Sequence, residues 1–216
     1  MLILTIWGAY ELARRWRHHV IALSVAGSAA IGLCLALTCQ QVGYWKDSEA
    51  LFRHAFEVTE NNYIAYFNLG NAFLMKGQID EAISQFQEAI RLRPDHVEAH
   101  DNLGTALGMK GQTEEAIIQF REALRLRPDY ADAHDNLGVG LVQKGQIDEA
   151  IIQFREALRL KPDDPEVHNN LGTALGMKGQ TEEAIIQFRE ALRLKPDHAN
   201  ARNNLGLALG RKGQTD

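Results

Sequence analysis

The 25 residues NLGTALGMKGQTEEAIIQFREALRL stand at 102–126 and again, unchanged, at 170–194. A catalytic centre is a single constellation of unlike groups, whereas a packing unit must be stacked on copies of itself, so the duplication points to architecture. The chain repeats with a period of 34. Phe52, Phe86, Phe120, Phe154 and Phe188 mark it, with alanine three residues later at Ala55, Ala89, Ala123, Ala157 and Ala191. Leu-Gly pairs recur at Leu69-Gly70, Leu103-Gly104, Leu137-Gly138, Leu171-Gly172 and Leu205-Gly206, and prolines close the units at Pro94, Pro128, Pro162 and Pro196. Four full units result, 63–96, 97–130, 131–164 and 165–198. Half a unit precedes them within 40–62, and a partial unit follows at 199–216.

Each unit predicts two antiparallel helices. Asp95, Asp129, Asp163 and Asp197 follow the prolines as N-cap residues of the first helix, and Pro165 suits its first turn. Gly77, Gly111, Gly145, Gly179 and Gly213 supply the left-handed residue that ends it. Acidic pairs such as Glu114-Glu115 then open the second helix, where they suit its dipole. Ala116, Ile117, Phe120, Ala123 and Leu124 give that helix an apolar stripe. The glycine of Leu-Gly falls inside the first helix at a cost of about 1 kcal/mol relative to alanine. Such a cost is tolerable where another element must approach closely.

The pattern resembles the tetratricopeptide repeat family. Leu103, Gly104, Leu107, Ala116, Phe120, Ala123 and Pro128 fall on its signature positions within one unit. The aromatic usual near the start of a unit is Tyr66 in the first and becomes His100, His134 and His168 afterwards. The resemblance implies an all-α fold, a right-handed superhelical solenoid of helical hairpins, and protein–protein interaction as its use.

Residues 20–39, VIALSVAGSAAIGLCLALTC, carry no charge and have the length a helix needs to cross a bilayer. Arg14, Arg15 and Arg17 precede this run and only Lys46 follows closely. The positive-inside rule then places 1–19 in the cytoplasm and the repeats on the extracytoplasmic side, periplasmic or lumenal. A cleaved signal peptide is the alternative, but the run is long and no A-x-A site follows. The apolar start of the chain reads as the end of an earlier membrane helix, making this chain a piece of a larger polytopic protein. The junction at 44–70, YWKDSEALFRHAFEVTENNYIAYFNLG, resembles the membrane-to-repeat boundary of polytopic transmembrane repeat proteins related to protein O-mannosyltransferases.

A formal net charge of −5 and a pI near 5.9 argue against a nucleic-acid partner. Cys34 and Cys39 are the only thiols, so the repeats hold neither a disulfide framework nor a cysteine zinc site. No phosphate loop, nucleophile elbow or metal helix signature appears. The sequence therefore predicts no catalytic residues, no cofactor and no metal site. His100, His134 and His168 recur once per unit and read as packing residues in place of the aromatic, with metal ligation the lesser reading. His96 and His100 share a helical turn but make only two ligands.

The first helices, which the fold implied by the resemblance turns inward, carry the informative row. Asn68, Asn102, Asn136, Asn170 and Asn204 occupy one equivalent position in every unit. An amide offers both donor and acceptor, so such a row can grip the backbone of an extended peptide. It resembles the asparagine ladder in the superhelix of O-GlcNAc transferase. The competing expectation is that each amide satisfies a local backbone group. Glu98, Asp101, Asp132, Asp135 and Glu166 flank the row and would make the groove acidic, favouring basic peptides over carboxylate-ended tails. The outer charges Arg121, Glu122, Arg125 and Arg127 read as a solvated face. The sequence thus predicts a membrane-anchored scaffold binding an extended protein segment. The alternatives are an acceptor-positioning tail of a membrane glycosyltransferase and a stack that self-associates end to end.

Overall fold

The computed structural model describes residues 62–213. The membrane segment predicted at 20–39, its flank 1–19, the half unit before Asn62 and the last three residues lie outside the described residues. Among the described residues no helix is long and apolar enough to cross a membrane.

These residues form four helical hairpins and one further first helix: α1 (Tyr63–Met75) with α2 (Ile79–Leu92), α3 (Val97–Met109) with α4 (Thr113–Leu126), α5 (Ala131–Gln143) with α6 (Ile147–Leu160), α7 (Pro165–Met177) with α8 (Thr181–Leu194), then α9 (Ala199–Lys212). No strand occurs among them. The hairpin turn is set by glycine. Gly77, Gly111, Gly145 and Gly179 take φ of +74°, +85°, +74° and +85°, a region glycine enters without steric penalty. The next residue donates back across the helix end, Gln78 N to Phe73 O at 2.9 Å, while Gly77 N reaches Leu74 O at 3.0 Å. These paired bonds make a Schellman cap. Gln78 is also the N-cap residue of α2, so one helix starts where the last is sealed and little freedom remains between them.

Two sequence expectations about helix ends are corrected. The N-cap residue is the one after each aspartate: His96, Tyr130, Asp164 and His198 rather than Asp95, Asp129, Asp163 and Asp197. The Pro-Asp dipeptides complete a turn first, and only the following backbone can donate into a helix. Asp164 caps α7 with its carboxylate on the N–H groups of Glu166 and Val167, at 3.0 and 3.3 Å, with Pro165 in the first turn as expected. Gly213 has φ −70°, so the last first-helix does not end as the others do.

The Leu-Gly glycines make room for the phenylalanine of the same hairpin. A Cβ at Gly70, Gly104, Gly138 or Gly172 would stand 2.5–2.7 Å from the Cε1 atom of Phe86, Phe120, Phe154 or Phe188. Those rings are buried, and with the recurring alanines they form the core between the two helix layers.

Curvature follows from which helices touch. The backbones of α1 and α3, α3 and α5, α5 and α7, and α7 and α9 approach closely, whereas those of α2, α4, α6 and α8 do not approach one another. Close spacing on the first-helix side and wider spacing on the second-helix side make the first helices the concave wall. Exposed ion pairs, Arg121 to Glu149 at 2.8 Å and Arg155 to Glu183 at 3.2 Å, bridge the outer layer. Arg121 is therefore a link between repeats rather than simply part of a solvated face.

Candidate functional site: the concave wall of first helices

The five asparagines stand at one level of this wall, all half-buried. Each from the second onward spends an N–H on the helix before it. Asn136 Nδ2 donates to Asp101 Oδ1, Asn170 Nδ2 to Asp135 Oδ1 and Asn204 Nδ2 to Asn169 Oδ1, each at 3.0 Å. In the first unit the acceptor position is Phe67, and Asn102 Nδ2 turns instead to Asn71 Oδ1 at 2.7 Å. These four amides are thus neither idle nor bonded to local backbone. They tie consecutive first helices together and each keeps its carbonyl oxygen; Asn102, Asn136 and Asn170 also keep a second N–H, whereas Asn204 Nδ2 additionally reaches Thr173 Oγ1 at 3.4 Å. Removing them should separate the two acceptor types. Asn136→Ala, which strips a donor from a buried carboxylate, is expected to lower stability by about 1.5–3 kcal/mol, and Asn102→Ala, with a neutral acceptor, by about 0.5–1.5 kcal/mol. Denaturant melts would check this; equal losses would mean the charge on Asp101 is not what the amide serves.

The five acids divide into two classes. Glu98, Asp132 and Glu166 lie at the start of the first helices and each meets the basic residue that ends the second helix of its own hairpin. Glu98 pairs with Arg127 at 2.8 Å, Asp132 with Lys161 at 2.5 Å and Glu166 with Lys195 at 3.4 Å. Glu166 also meets His198 at 3.1 Å. Asp101 and Asp135 have no cation beside them among the described residues. Burial in the first place, and the surrounding carboxylates after it, push both up to about 6, against the pull of the asparagine hydrogen bonds. They differ in access. Asp101 is 4% exposed, and Tyr130 sits within its field. One repeat on, Asp164 stands where Tyr130 stood, and Asp135 opens into a cavity of about 240 Å³ shared with Asp132, Lys161 and Asp164.

The histidines are structural ties. His100, His134 and His168 each place Nδ1 2.7–2.8 Å from a glutamine of the second helix, Gln119, Gln153 or Gln187. Nε2 lies 2.9–3.0 Å from the carbonyl of Pro94, Pro128 or Pro162. Both ring nitrogens are engaged, which fits the packing reading. Arg202, at the same position in the last unit, reaches Pro196 O at 2.7 Å. Among the described residues no three His, Cys, Asp or Glu side chains are placed together so as to hold a metal ion.

Sequence reasoning missed an apolar feature of the same wall. At the junction of α3 and α5 a cavity of about 250 Å³ opens, lined by Gly108, Met109, Phe120, Asn136 and Val139 among others. A second of about 160 Å³ lies between α7 and α9, where Gly176, Met177, Phe188, Asn204 and Leu207 take the equivalent places. The signal was present: the verbatim copies are 68 residues apart, two units rather than one.

A family model described as tetratricopeptide repeat matches 27–95 and 63–129, and one described as TPR repeat matches 141–179 and 177–213. The chain belongs to the tetratricopeptide repeat family. Among solved TPR structures, YrrB, a TPR protein with an unusual peptide-binding site, is 28% identical, with a TM-score of 0.65 over 77% of this chain and 86% of that one. MamA is 27% identical, with a TM-score of 0.62 over 68% and 86%. The APC/C hetero-tetramer Cut9–Hcn1 is 25% identical, with a TM-score of 0.69 over 74% of this chain and 32% of that one. No curated protein matches.

Proposed function

We propose that this TPR protein is a non-catalytic scaffold whose concave wall binds an extended protein segment, with basic side chains preferred. The observation that carries the reading is the asparagine row. Asn102, Asn136 and Asn170 each commit one N–H to the stack, and their remaining carbonyl and N–H, with the carbonyl of Asn204, suit a peptide backbone, which offers the complementary groups at every residue. The peptide-binding site of YrrB, a structural neighbour, supports the same use of the fold. The uncompensated Asp135 supports the basic preference. Residues 20–39 anchor the scaffold in a membrane with the repeats outside the cytoplasm, a reading supported by the arginine bias around that segment.

Two measurements test this. Immobilised peptide libraries probed with the full-length chain in detergent should enrich basic, extended sequences, with affinity falling as ionic strength rises. Absence of any enriched peptide would overturn the groove reading. A reporter fused after the last residue should be active only when exported; activity of a cytoplasmic reporter there would overturn the orientation.

A further inference from the structure

We propose that Gly108 and Gly176 set the register of the bound segment: they open two equivalent apolar pockets, two repeats apart, that take two aliphatic side chains six residues apart in one extended chain. This inference rests on the groove reading above.

The residue at this position varies from unit to unit. The wall carries Leu74 in the first unit, Gly108 in the second, Val142 in the third, Gly176 in the fourth and Gly210 in the last, after which no further first helix stands among the described residues to enclose a pocket. Leu74 and Val142 are half-buried there. Neither glycine is required by the backbone. Both lie inside α-helices, and neither takes a positive φ. Nor is either demanded by packing, because a Cβ at Gly108 would meet Ala116 Cβ at 3.9 Å, and one at Gly176 would meet Ala184 Cβ at 3.9 Å, both ordinary contacts. This separates them from Gly104 and Gly172, whose added Cβ would collide with a ring. Glycine is disfavoured in a helix relative to valine or leucine even in the last turn, where both stand, so its presence at two such sites invites another reason. The reason on view is the space above them. The cavities of about 250 and 160 Å³ are bounded by Met109, Phe120 and Val139 in one case and by Met177, Phe188 and Leu207 in the other. An apolar cavity of about 150 Å³ holds a benzene ring, so either admits a branched aliphatic side chain.

Spacing fixes the ligand pattern. Consecutive first helices are in direct contact, and packed helices lie about 8–10 Å apart, which puts the pockets about 16–20 Å from one another. An extended chain advances about 3.3 Å per residue and sends alternate side chains to the same face. The pair that meets both conditions is i and i+6. Asn136 and Asn204 stand at the pocket rims, where they meet the backbone beside each anchor. Between the pockets lies the junction of α5 and α7, where Lys161 offsets only one of the three carboxylates of Asp132, Asp135 and Asp164. That cavity sits toward the start of the helices, about 10 Å from the pocket row at 1.5 Å per residue, within reach of a lysine or arginine at i+2 or i+4. The occupant is therefore an extended segment of another protein with two aliphatic anchors and a basic residue between them.

The test is the paired change Gly108→Val with Gly176→Val, which places in both pockets the side chain that the third unit already carries at Val142. The thermal midpoint should stay level or rise. Affinity for peptides selected on the wild-type chain should fall about tenfold or more, the loss expected when a buried aliphatic group is denied its site. The selected peptides should carry aliphatic residues at i and i+6, and replacing those two by serine should cause a similar loss without touching the protein. Enriched peptides lacking that pair, or a valine variant that binds as the wild type does, would overturn the register and leave the groove reading intact. A library that enriches nothing on the wild-type chain would overturn both.

Discussion

Phe154→Ala is expected to cost about 3–5 kcal/mol of folding stability, the largest loss of any single truncation considered. The ring is 1% exposed and fills the space that Gly138 leaves, so the surrounding helices cannot close on the void without sliding the hairpin. Phe120→Ala should behave alike. Phe188→Ala should cost less although its ring is as well buried, because α7 to α9 form the end of the described stack and can open while the interior holds. Denaturant melts of the three variants decide the matter, and equal losses would count against a nearest-neighbour stack. Gly138→Ala approaches the same contact from the other side. Its Cβ would sit 2.5 Å from Phe154, so alone it should destabilise, and with Phe154→Leu the sum should be less than additive.

Replacing Asp101 and Asp135 by asparagine is expected to stabilise the protein, increasingly above about pH 4 and in full above about pH 6. Burial raises both carboxyls from the usual 3.8 to about 6, so the native state binds their protons more tightly than the unfolded chain does. The resulting penalty is complete above pH 6, declines as pH falls between 6 and 3.8, and is absent below that. The gap corresponds to about 3 kcal/mol per residue at neutral pH. The hydrogen bond survives the change: Asn169 already accepts from Asn204 at 3.0 Å in the same geometry. Urea melts of D101N/D135N against the wild-type chain should coincide near pH 4, diverge between pH 4 and 6 and keep a constant gap above pH 6. Parallel profiles would show that neither carboxylate is strained by its burial. The same variant should bind basic peptides more weakly, through Asp135 in particular, since Asp101 is covered. Gained stability with lost binding is the expected signature of a carboxylate kept for a ligand.

The hairpins were legible because their causes lie within one unit. Gly104 and Phe120 are sixteen residues apart, Gly111 acts on its own turn, and a 34-residue comparison exposes both. The relations that build the wall cross between units and escape that comparison. Asn136 and Asp101 looked like separate features, a ladder and an acid, until their 3.0 Å contact showed them to be one device. Glu98, Asp132 and Glu166 read as groove acids because the residue that neutralises each arrives from the far end of the next helix. Capping slipped by one residue because Pro-Asp signals a turn and does not say which following residue the helix takes. The pockets were hidden in a different way: a 34-residue comparison shows this position only as variable, and the match of Gly108 with Gly176, with the pocket residues around them, emerges when units two apart are compared.

The uneven ties between repeats give the solenoid a mechanical bias. First helices are joined by direct packing and by amide hydrogen bonds to buried acceptors, whereas second helices face each other across a gap spanned by solvent-exposed ion pairs such as Arg121–Glu149. Flattening the strip must pull the inner layer apart and break the buried bonds. Coiling it more tightly only stretches contacts that are individually worth little and that salt screens further. The protein therefore works as a one-sided spring: compliant when its groove tightens around a guest, stiff when something tries to prise the groove open, and softer in the first sense as ionic strength rises.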